Sequence, residues 1–340
     1  MIENIAETPN TLDARKNIRD ILHHIFAYSP PQKALIIYDM QSELSRLLTS
    51  AYRAQLPEST CLDFEECPPE TILEALNKLK ASDLAILIQS TSFRLSKFRI
   101  RIELFQRKIK VIEHPHLGRM QKIELQTYID SLAYDPNYYR RLGPKLKQQI
   151  GSASEIKLIG DKTLLRYKGP FLTPKLNIGD YREMKNIGGQ FPIGEVFTEP
   201  ENLETLNGSL TLFAFGNTQF GVHVPEQAFT AIIEKGILVD SPNAPKDFLT
   251  VLNEIREKEE VVWVRELGFG LNRAFSQKRR VSDIGTYERM CGIHLSLGSK
   301  HLQYKKERFR KKGGFHVDVF AKTKRVEIDG LPIYKNGAYL

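Results

Sequence analysis

Lys33-Ala-Leu-Ile-Ile-Tyr-Asp39 is the stretch that decides the fold of the first half of the chain, and Asp83-Leu-Ala-Ile-Leu-Ile-Gln89 and Lys108-Ile-Lys-Val-Ile-Glu113 repeat its character. Each is a short apolar run next to a polar residue, which is typical of a parallel strand buried on both faces. Segments with apolar residues at helical spacing stand between them: 42–55, 70–81 and 98–107. Strands that alternate with helices predict an open parallel-sheet α/β domain.

The turns of this domain do not have the composition of a nucleotide site. The first strand is followed by Asp39-Met-Gln-Ser-Glu43, which contains no glycine. Close approach of the backbone to a pyrophosphate needs glycines at that turn, and neither G-x-G-x-x-G nor G-x-x-x-x-G-K-[ST] follows any of the strands. We therefore expect this domain to serve as a platform, a dimer surface or one wall of a cleft.

The pattern changes after a cluster of turn residues at 134–144, which predicts an N-terminal domain at 1–140 and a C-terminal domain at 141–340. Two pairs of apolar runs flank short turns and predict β-hairpins at 155–167 and 209–224. Further strands are predicted at 261–266, 292–296 and 315–320, with one helix at 245–258. The second domain is therefore predicted to be α+β, with a mixed or antiparallel sheet.

The composition excludes several classes of protein. The length of 340 residues favours two domains, and 41% apolar and 26% charged residues are ordinary for a soluble globular chain. The longest apolar runs are far shorter than the ~18–20 residues of a membrane span, and no secretory signal is visible. Three cysteines form no disulfide framework and fit a reducing, cytoplasmic location. The net charge of +8 favours anionic partners but does not require nucleic acid.

The C-terminal half contains a strand with two potential metal ligands. In Phe315-His-Val-Asp-Val-Phe320, the side chains of His316 and Asp318 lie two positions apart and therefore project from one face. The simplest interpretation is a hydrogen-bonded surface pair, and the alternative is part of a metal site. Three other residues favour the alternative that this strand is part of a metal site.

Those three residues are His294, Glu266 and Glu195. His294 lies in Gly292-Ile-His-Leu-Ser-Leu-Gly298, where the glycines allow a close approach of backbone, although a lone histidine in an apolar strand is more often a core residue. Glu266 follows the apolar run Val261-Val-Trp-Val264 and would be desolvated without a positive partner. Glu195 follows a glycine- and proline-rich segment that also fits a plain surface loop.

Together the five residues form a set with the chemistry of a metal centre. Three carboxylates and two imidazoles without a thiolate suit divalent zinc, manganese, cobalt or iron. Five ligands exceed what one catalytic ion usually takes from protein, so two ions about 3.5–4 Å apart that share a carboxylate are plausible. Such a pair lowers the pKa of a bridging water and polarises a carbonyl, and both effects promote hydrolysis.

The chain resembles the aminopeptidase T-type metallopeptidases in four segments between about residues 140 and 340, and more faintly in the N-terminal half. The matching segments are Asn186-Ile-Gly-Gly-Gln-Phe-Pro-Ile-Gly-Glu-Val-Phe-Thr-Glu-Pro200, Arg265-Glu-Leu-Gly-Phe-Gly-Leu-Asn272, Gly292-Ile-His-Leu-Ser-Leu-Gly298 and Phe315-His-Val-Asp318. The resemblance implies that Glu195, Glu266, His294, His316 and Asp318 hold two divalent ions. It also implies that the protein is a dimeric enzyme that removes N-terminal residues from peptides.

One position departs from that family. The family has a tyrosine seven residues after its first histidine, whereas this chain has His301 there and its nearest tyrosine is Tyr304. His301 could be a sixth ligand, an acid–base group beside Glu195 and Glu266, or part of a reshaped pocket. The stretch 300–325 carries ten basic residues and two acidic ones, which fits either a solvated loop or a clamp for an anionic substrate.

The sequence is also compatible with two other functions. The same family of folds includes 2,5-dihydroxypyridine dioxygenases, which hold one iron(II) by two histidines and a carboxylate, and His294, His316 and Asp318 could supply that set. A non-catalytic binding protein that keeps the shape of the site is the third interpretation. His114-Pro-His116 could also bind a metal, but the acidic cluster that would complete such a site is missing nearby.

Overall fold

A computed structural model describes residues 8–95, 100–182, 184–300, 304 and 314–340. The chain divides into two compact units. The first comprises Met1–Arg140 together with Gly179–Ile193, and the second comprises Arg141–Ile178 and Gly194–Leu340. Among the described residues, no helix has the length and apolar character that a membrane span requires.

The elements are as follows. The α-helices are α1 (Pro9–Asp20), α2 (Glu43–Gln55), α3 (Pro69–Lys78), α4 (Ile100–Gln106), α5 (Leu125–Ser131), α6 (Pro136–Gly151), α7 (Lys246–Glu259) and α8 (Ile284–Tyr287). The strands are β1 (Ala34–Tyr38), β2 (Thr60–Asp63), β3 (Leu84–Ile88), β4 (Lys110–His114), β5 (Glu155–Ile159), β6 (Leu164–Lys168), β7 (Lys175–Asn177), β8 (Gly188–Gln190), β9 (Glu195–Thr198), β10 (Asn207–Gly216), β11 (Val222–His223), β12 (Phe229–Glu234), β13 (Ile237–Asp240), β14 (Val264–Gly270), β15 (Gly292–Gly298), β16 (His316–Ala321), β17 (Arg325–Ile328), β18 (Leu331–Lys335) and β19 (Ala338–Tyr339).

The first unit is built on a parallel sheet, as the apolar runs predicted. Among the described residues, five strands pair in the order β2-β1-β3-β4-β8, and every pairing is parallel. The central strands β1 and β3 are buried along their whole length because helices cover both faces of such a sheet. The segment 188–200, which sequence reasoning also allowed as a surface loop, instead contributes β8 to this sheet and β9 to the second unit.

The turn after β1 is closed by side chains rather than by glycines. Asp39 is fully buried, and its Oδ2 accepts a hydrogen bond of 2.6 Å from the backbone N–H of Ser90. Ser42 and Ser45 form a reciprocal capping box at the start of α2. The polar groups at this edge of the sheet therefore satisfy one another.

Most of the cluster of turn residues at 134–144 lies in helix α6, which the sequence did not predict. Pro136 begins α6, where its missing N–H costs nothing, and the helix continues past Gly143 and Pro144. The apolar side chains of Leu146 and Ile150 are buried. Burial of this face stabilises the helix enough to offset the proline, which outweighs the local preference for a turn.

His114 is a core residue of the first unit and not a metal ligand. Its Nε2 lies 2.7 Å from the hydroxyl oxygen of Tyr52, and its Nδ1 lies 2.9 Å from that of Tyr128. A neutral imidazole donates through one nitrogen and accepts through the other, so two hydroxyls satisfy it. Burial lowers the pKa of His114 to about 3.

This pKa makes the stability of the protein depend on pH. The folded pKa lies below the ordinary value of 6.5, so the unfolded chain binds a proton at pH 5 that the folded chain excludes. We expect the free energy of unfolding to fall by about 1.4 kcal/mol per pH unit below pH 6.5 through this group. Urea unfolding at pH 7.5 and pH 5 should show a smaller pH dependence for His114→Gln than for the natural chain. The exposed His23→Gln should leave that pH dependence unchanged.

The second unit is built on a large antiparallel sheet. Its described strands pair along the path β19-β18-β17-β5-β6-β10-β16-β15-β14-β9-β7. Strands β11 and β12 also pair with β10, and β13 pairs with β12. The predicted hairpin at 155–167 is β5–β6, and the predicted strand at 261–266 begins later and extends to Gly270. Glu266 is therefore in the interior of β14 rather than at its end.

Candidate metal centre

Four adjacent strands carry the candidate ligands, in the spatial order β9-β14-β15-β16. Glu195 of β9 is directly opposite Gly270 of β14, and Gly268 is opposite His294 of β15. Ser296, two residues beyond His294, is opposite Asp318 of β16. Residues opposite one another in antiparallel strands project from the same face. The pairing therefore places Glu195, His294 and Asp318 on one face of the sheet.

The five candidate residues meet as two groups that share one carboxylate. The first group is Glu195, Glu266 and His294, and the second is Glu266, His316 and Asp318. Within each group the potential ligand atoms all lie within 4.8 Å of one another. Glu266 belongs to both groups, which is the position of a carboxylate that bridges two ions.

The first group is deeply buried. Nε2 of His294 lies 3.1 Å from Oε1 of Glu195 and 3.5 Å from Oε1 of Glu266. All three side chains are 5% exposed or less, so water does not screen their charges. The second group is more open, because the side chain of His316 is 27% exposed, and its Nε2 lies 3.4 Å from Oδ1 of Asp318.

Gly268 makes room for the ring of His294. A Cβ atom at position 268 would lie 2.0 Å from both Cε1 and Nε2 of that ring. The imidazole therefore crosses directly over the backbone of β14 at Gly268, which has no side chain. The sequence showed glycines on both sides of His294 along β15, but the glycine that accommodates the ring is on the neighbouring strand.

Arg289 is a residue of the site that sequence reasoning missed. Its Nη2 lies 3.9 Å from Oε2 of Glu195, and its side chain is only 7% exposed. Burial raises the pKa of Glu195, but Arg289 and His294 outweigh it and lower the pKa below its ordinary value. Arg289 thus holds Glu195 in the ionised form that a metal ligand needs. The only signal in the sequence is a lone arginine just before Gly292-Ile-His294.

Two residues with hydroxyl groups complete the walls of the candidate metal centre. The buried Ser296 accepts a hydrogen bond of 3.1 Å from the backbone N–H of Glu266, which fixes β14 beside β15. The hydroxyl of Tyr304 donates to the backbone carbonyls of Thr173 and Phe197 at 3.2 and 3.1 Å. Burial, followed by the negative charge of Glu266, raises the pKa of Tyr304 well above its usual range. Tyr304 therefore stays a neutral donor.

The polar atoms of these residues do not satisfy one another by hydrogen bonds, and a divalent cation would satisfy them better. Oε2 of Glu266 is buried and makes no hydrogen bond with the described residues. Nε2 of His294 also makes no hydrogen bond of acceptable geometry with them, although it faces two carboxylates. A buried carboxylate oxygen without a partner is costly, and a cation between these groups would satisfy both. Carboxylate and imidazole ligands suit zinc, manganese, cobalt or iron(II).

The carboxylates keep the two imidazoles protonated when no cation is bound. Burial lowers the pKa of His294, but the nearby carboxylates of Glu195 and Glu266 outweigh it and raise the pKa to about 10. Burial acts on His316 in the same direction, and Asp318 raises its pKa to about 9. At pH 7 these two protons give the imidazoles a positive charge, which balances part of the negative charge of the buried carboxylates.

Cation binding at pH 7 should therefore release protons. A metal ligand must be a neutral imidazole, so His294 and His316 each have to lose one proton. We expect calorimetric titration with zinc, in buffers of different ionisation enthalpy, to show about two protons released per chain and an affinity that increases as the pH rises. Release of no proton would show that the imidazoles do not bind the cation.

The structure does not describe all of the predicted site residues. His301 and most of the basic stretch, at 301–303 and 305–313, lie outside the described residues. Lys300 at its start is described, and its Nζ lies 3.8 Å from Oε2 of the buried Glu199. Among the described residues, the groups that could hold a metal include neither His114 nor His116.

This fold is shared by solved structures that include two enzymes. A 2,5-dihydroxypyridine dioxygenase from Pseudomonas putida KT2440 has a TM-score of 0.66 and 12% identity, over 98% of this chain and 98% of that chain. Wild-type AmpT from Thermus thermophilus, a T-type aminopeptidase, has a TM-score of 0.59 and 12% identity, over 97% of this chain and 99% of that chain. No protein-family profile matches the chain, and no curated protein sequence matches it.

These two neighbours are a T-type aminopeptidase, the family that the sequence motifs resemble, and a dioxygenase of the kind expected to be related to it. The resemblance is therefore confirmed as a similarity of fold over nearly the whole chain, including the N-terminal half, where the resemblance in sequence is fainter. At this level of identity the similarity defines the architecture and leaves the reaction open.

Proposed function

We propose that this protein is a two-metal hydrolase that removes the N-terminal residue of a peptide. The observation that supports the proposal best is the shared carboxylate: Glu266 lies within 4.8 Å of the ligand atoms of both groups. A single ion does not need two such groups, whereas a pair of ions needs a bridging ligand between them. The peptide substrate is inferred from the resemblance to T-type aminopeptidases.

Each side chain then has a distinct task. Glu195 and His294 would hold one ion, His316 and Asp318 the other, and Glu266 both. Two bound ions would supply Lewis acidity and a water whose pKa is near neutral. Arg289 keeps Glu195 ionised, and the deep burial of Glu195, Glu266 and His294 excludes bulk water from this side of the site. Within the described residues, Tyr304 offers a neutral hydroxyl at the wall.

The proposal is tested by metal content and turnover together. We expect the purified chain to contain about two divalent ions per chain and to hydrolyse amino-acid anilides. Removal of the ions with a chelator should abolish turnover, and addition of zinc, cobalt or manganese should restore it. Turnover that survives in metal-free protein would contradict the proposal. Light scattering of the same sample tests the dimer that the resemblance implies.

A mononuclear iron(II) dioxygenase is the alternative, and it is supported by the similarity to the dihydroxypyridine dioxygenase. That chemistry would use His294, His316 and Asp318 around one ion. Among the described residues, however, the two histidines belong to different groups, and each group has Glu266 as a further carboxylate. One iron per chain with oxygen uptake on a dihydroxypyridine would establish the alternative. A folded chain that binds neither metal nor substrate would indicate a non-catalytic protein.

A further inference from the structure

His316 is the most exposed of the five candidate ligands. Its side chain is 27% exposed, whereas those of the other four are 5% exposed or less. A ring that lies partly in water keeps rotational freedom unless a hydrogen bond removes it, and the second ring nitrogen of a metal-binding histidine usually makes that bond. The partner of Nδ1 is therefore important for the direction in which Nε2 of His316 points.

The backbone carbonyl of Ser299 is a partner of Nδ1. The nitrogen lies 3.3 Å from this oxygen, and because a carbonyl oxygen can only accept, Nδ1 carries the proton and donates. In the neutral imidazole that a metal needs, Nε2 then has no proton. Nε2 lies on the side of Asp318, 3.4 Å from Oδ1 of that residue. The hydrogen bond to Ser299 thus favours the ring orientation and the tautomer that can bind a cation.

The peptide of Ser299 is itself held by neighbouring groups. Ser299 is 6% exposed, and its backbone N–H donates a hydrogen bond of 2.6 Å to the carbonyl of Phe315. Its hydroxyl donates a hydrogen bond of 2.5 Å to Oε1 of Glu259, the last residue of α7. Arg265 donates through Nε to the preceding carbonyl, that of Gly298, at 2.6 Å. The carbonyl that faces the imidazole is thus attached to α7 and to β14.

Gly314 leaves room for the contact between Ser299 and Glu259. A Cβ at position 314 would lie 1.8 Å from Oγ of Ser299 and 2.2 Å from Oε1 of Glu259. We propose that Glu259 and Ser299 are positioning residues of the metal centre. Glu259 holds the hydroxyl of Ser299, and the carbonyl of Ser299 directs Nε2 of His316 toward the ion of the second group. This inference rests on the proposed two-metal centre.

Zinc titration of the full chain against a competing chromophoric chelator tests this role. We expect Ser299→Ala and Glu259→Ala each to weaken the ion of the second group about tenfold, because loss of an outer partner typically lowers metal affinity by about 10–100-fold. The ion of the first group should bind as before. Since the two residues act through one hydrogen bond, the double variant should bind zinc no more weakly than either single variant. Unchanged affinity in both single variants would overturn the proposal.

Matched variants separate positioning from a loss of stability. Glu257→Ala removes an exposed carboxylate of the same helix, and Ser131→Ala removes a buried hydroxyl that donates to the carbonyl of Tyr128. Both should keep the natural affinity for zinc, even where Ser131→Ala costs stability. In a His316→Gln chain, Ser299→Ala should have no further effect on affinity, because the ligand that it positions is gone. A further loss there would show that Ser299 acts through the fold instead.

The hydrogen bond can also be measured without a metal. In NMR spectra of the metal-free chain with isotope-labelled histidine, we expect the Nδ1 proton of His316 to exchange slowly with water. Exchange should be faster in Ser299→Ala and Glu259→Ala at the same pH. Glu259→Gln keeps an acceptor for the hydroxyl and should retain both slow exchange and most of the zinc affinity.

The two measurements distinguish this inference from the proposed function. A natural chain that binds no zinc would contradict the two-metal hydrolase, even where the Nδ1 proton is protected. Zinc binding by a chain whose Nδ1 proton exchanges freely would contradict the positioning role alone. Equal loss of affinity in Glu259→Gln and Glu259→Ala would assign the effect to the charge of Glu259 and would also contradict that role.

Discussion

Replacement of Glu266 by glutamine is expected to remove both divalent ions and to abolish turnover. Glu266 is 2% exposed and is the one residue common to both groups of ligands. Glutamine keeps the size of the side chain but has no negative charge to bridge two cations. The Lewis-acid contribution of bound ions is worth several kcal/mol, so the rate of anilide hydrolysis should fall by at least about 1,000-fold. Elemental analysis and initial rates measure both effects.

The comparison with Glu195→Gln makes this test specific. Glu195 belongs to the first group alone, so its replacement should leave the group of Glu266, His316 and Asp318 intact and retain about one ion. Glu234→Gln changes an exposed carboxylate of β12 and is the matched control that should alter neither metal content nor rate. Equal metal loss in Glu195→Gln and Glu266→Gln would contradict the bridging role of Glu266.

Replacement of Gly268 by alanine is expected to disrupt the site without a change in any ligand. The added Cβ would lie 2.0 Å from two atoms of the His294 imidazole, and the ring has no free direction because it is 1% exposed. Either the ring or β14 has to move. Insertion of a methyl group into a packed interior typically costs about 1–3 kcal/mol of stability, and displacement of a ligand abolishes metal binding.

Gly189 provides the control for that variant. It lies in strand β8, and a Cβ there would meet its nearest neighbour, the hydroxyl oxygen of Tyr181, at 3.8 Å, which is ordinary contact. Gly189→Ala should keep full metal content and lose little stability. Urea unfolding and elemental analysis of both variants measure the outcome. Full metal content in Gly268→Ala would show that His294 does not need its present position to hold the ion.

Local composition was enough to predict much of the first unit. The apolar runs at 33–39, 83–89 and 108–113 contain the parallel strands β1, β3 and β4. In β1 and β3 five consecutive apolar residues are buried, which is typical of a strand that is covered on both faces. Helix α6 was missed because its proline and glycine are turn formers locally, whereas burial of its apolar face decided the outcome.

The alternation of side chains along a strand was enough to place His316 and Asp318 together, because that geometry is local. The sequence around Arg289 and Gly268 gave no comparable information about their place in the site. Arg289 is significant because its Nη2 lies 3.9 Å from Oε2 of Glu195, 94 positions earlier in the chain. Gly268 is significant because its lack of a side chain leaves room for the imidazole of His294 on the next strand. Neither contact follows from a periodicity within its own segment.

The sequence by itself determined the class of each unit, and it predicted the types of candidate ligand and the four segments that carry them. Those properties depend on side-chain chemistry and on spacing within a few residues. Only the tertiary structure decided that β9, β14, β15 and β16 are neighbours, which register pairs them, and that Glu266 is shared by two groups of candidate ligands. Strand pairing is a long-range property, and a shift of one residue would turn each ligand to the opposite face of the sheet.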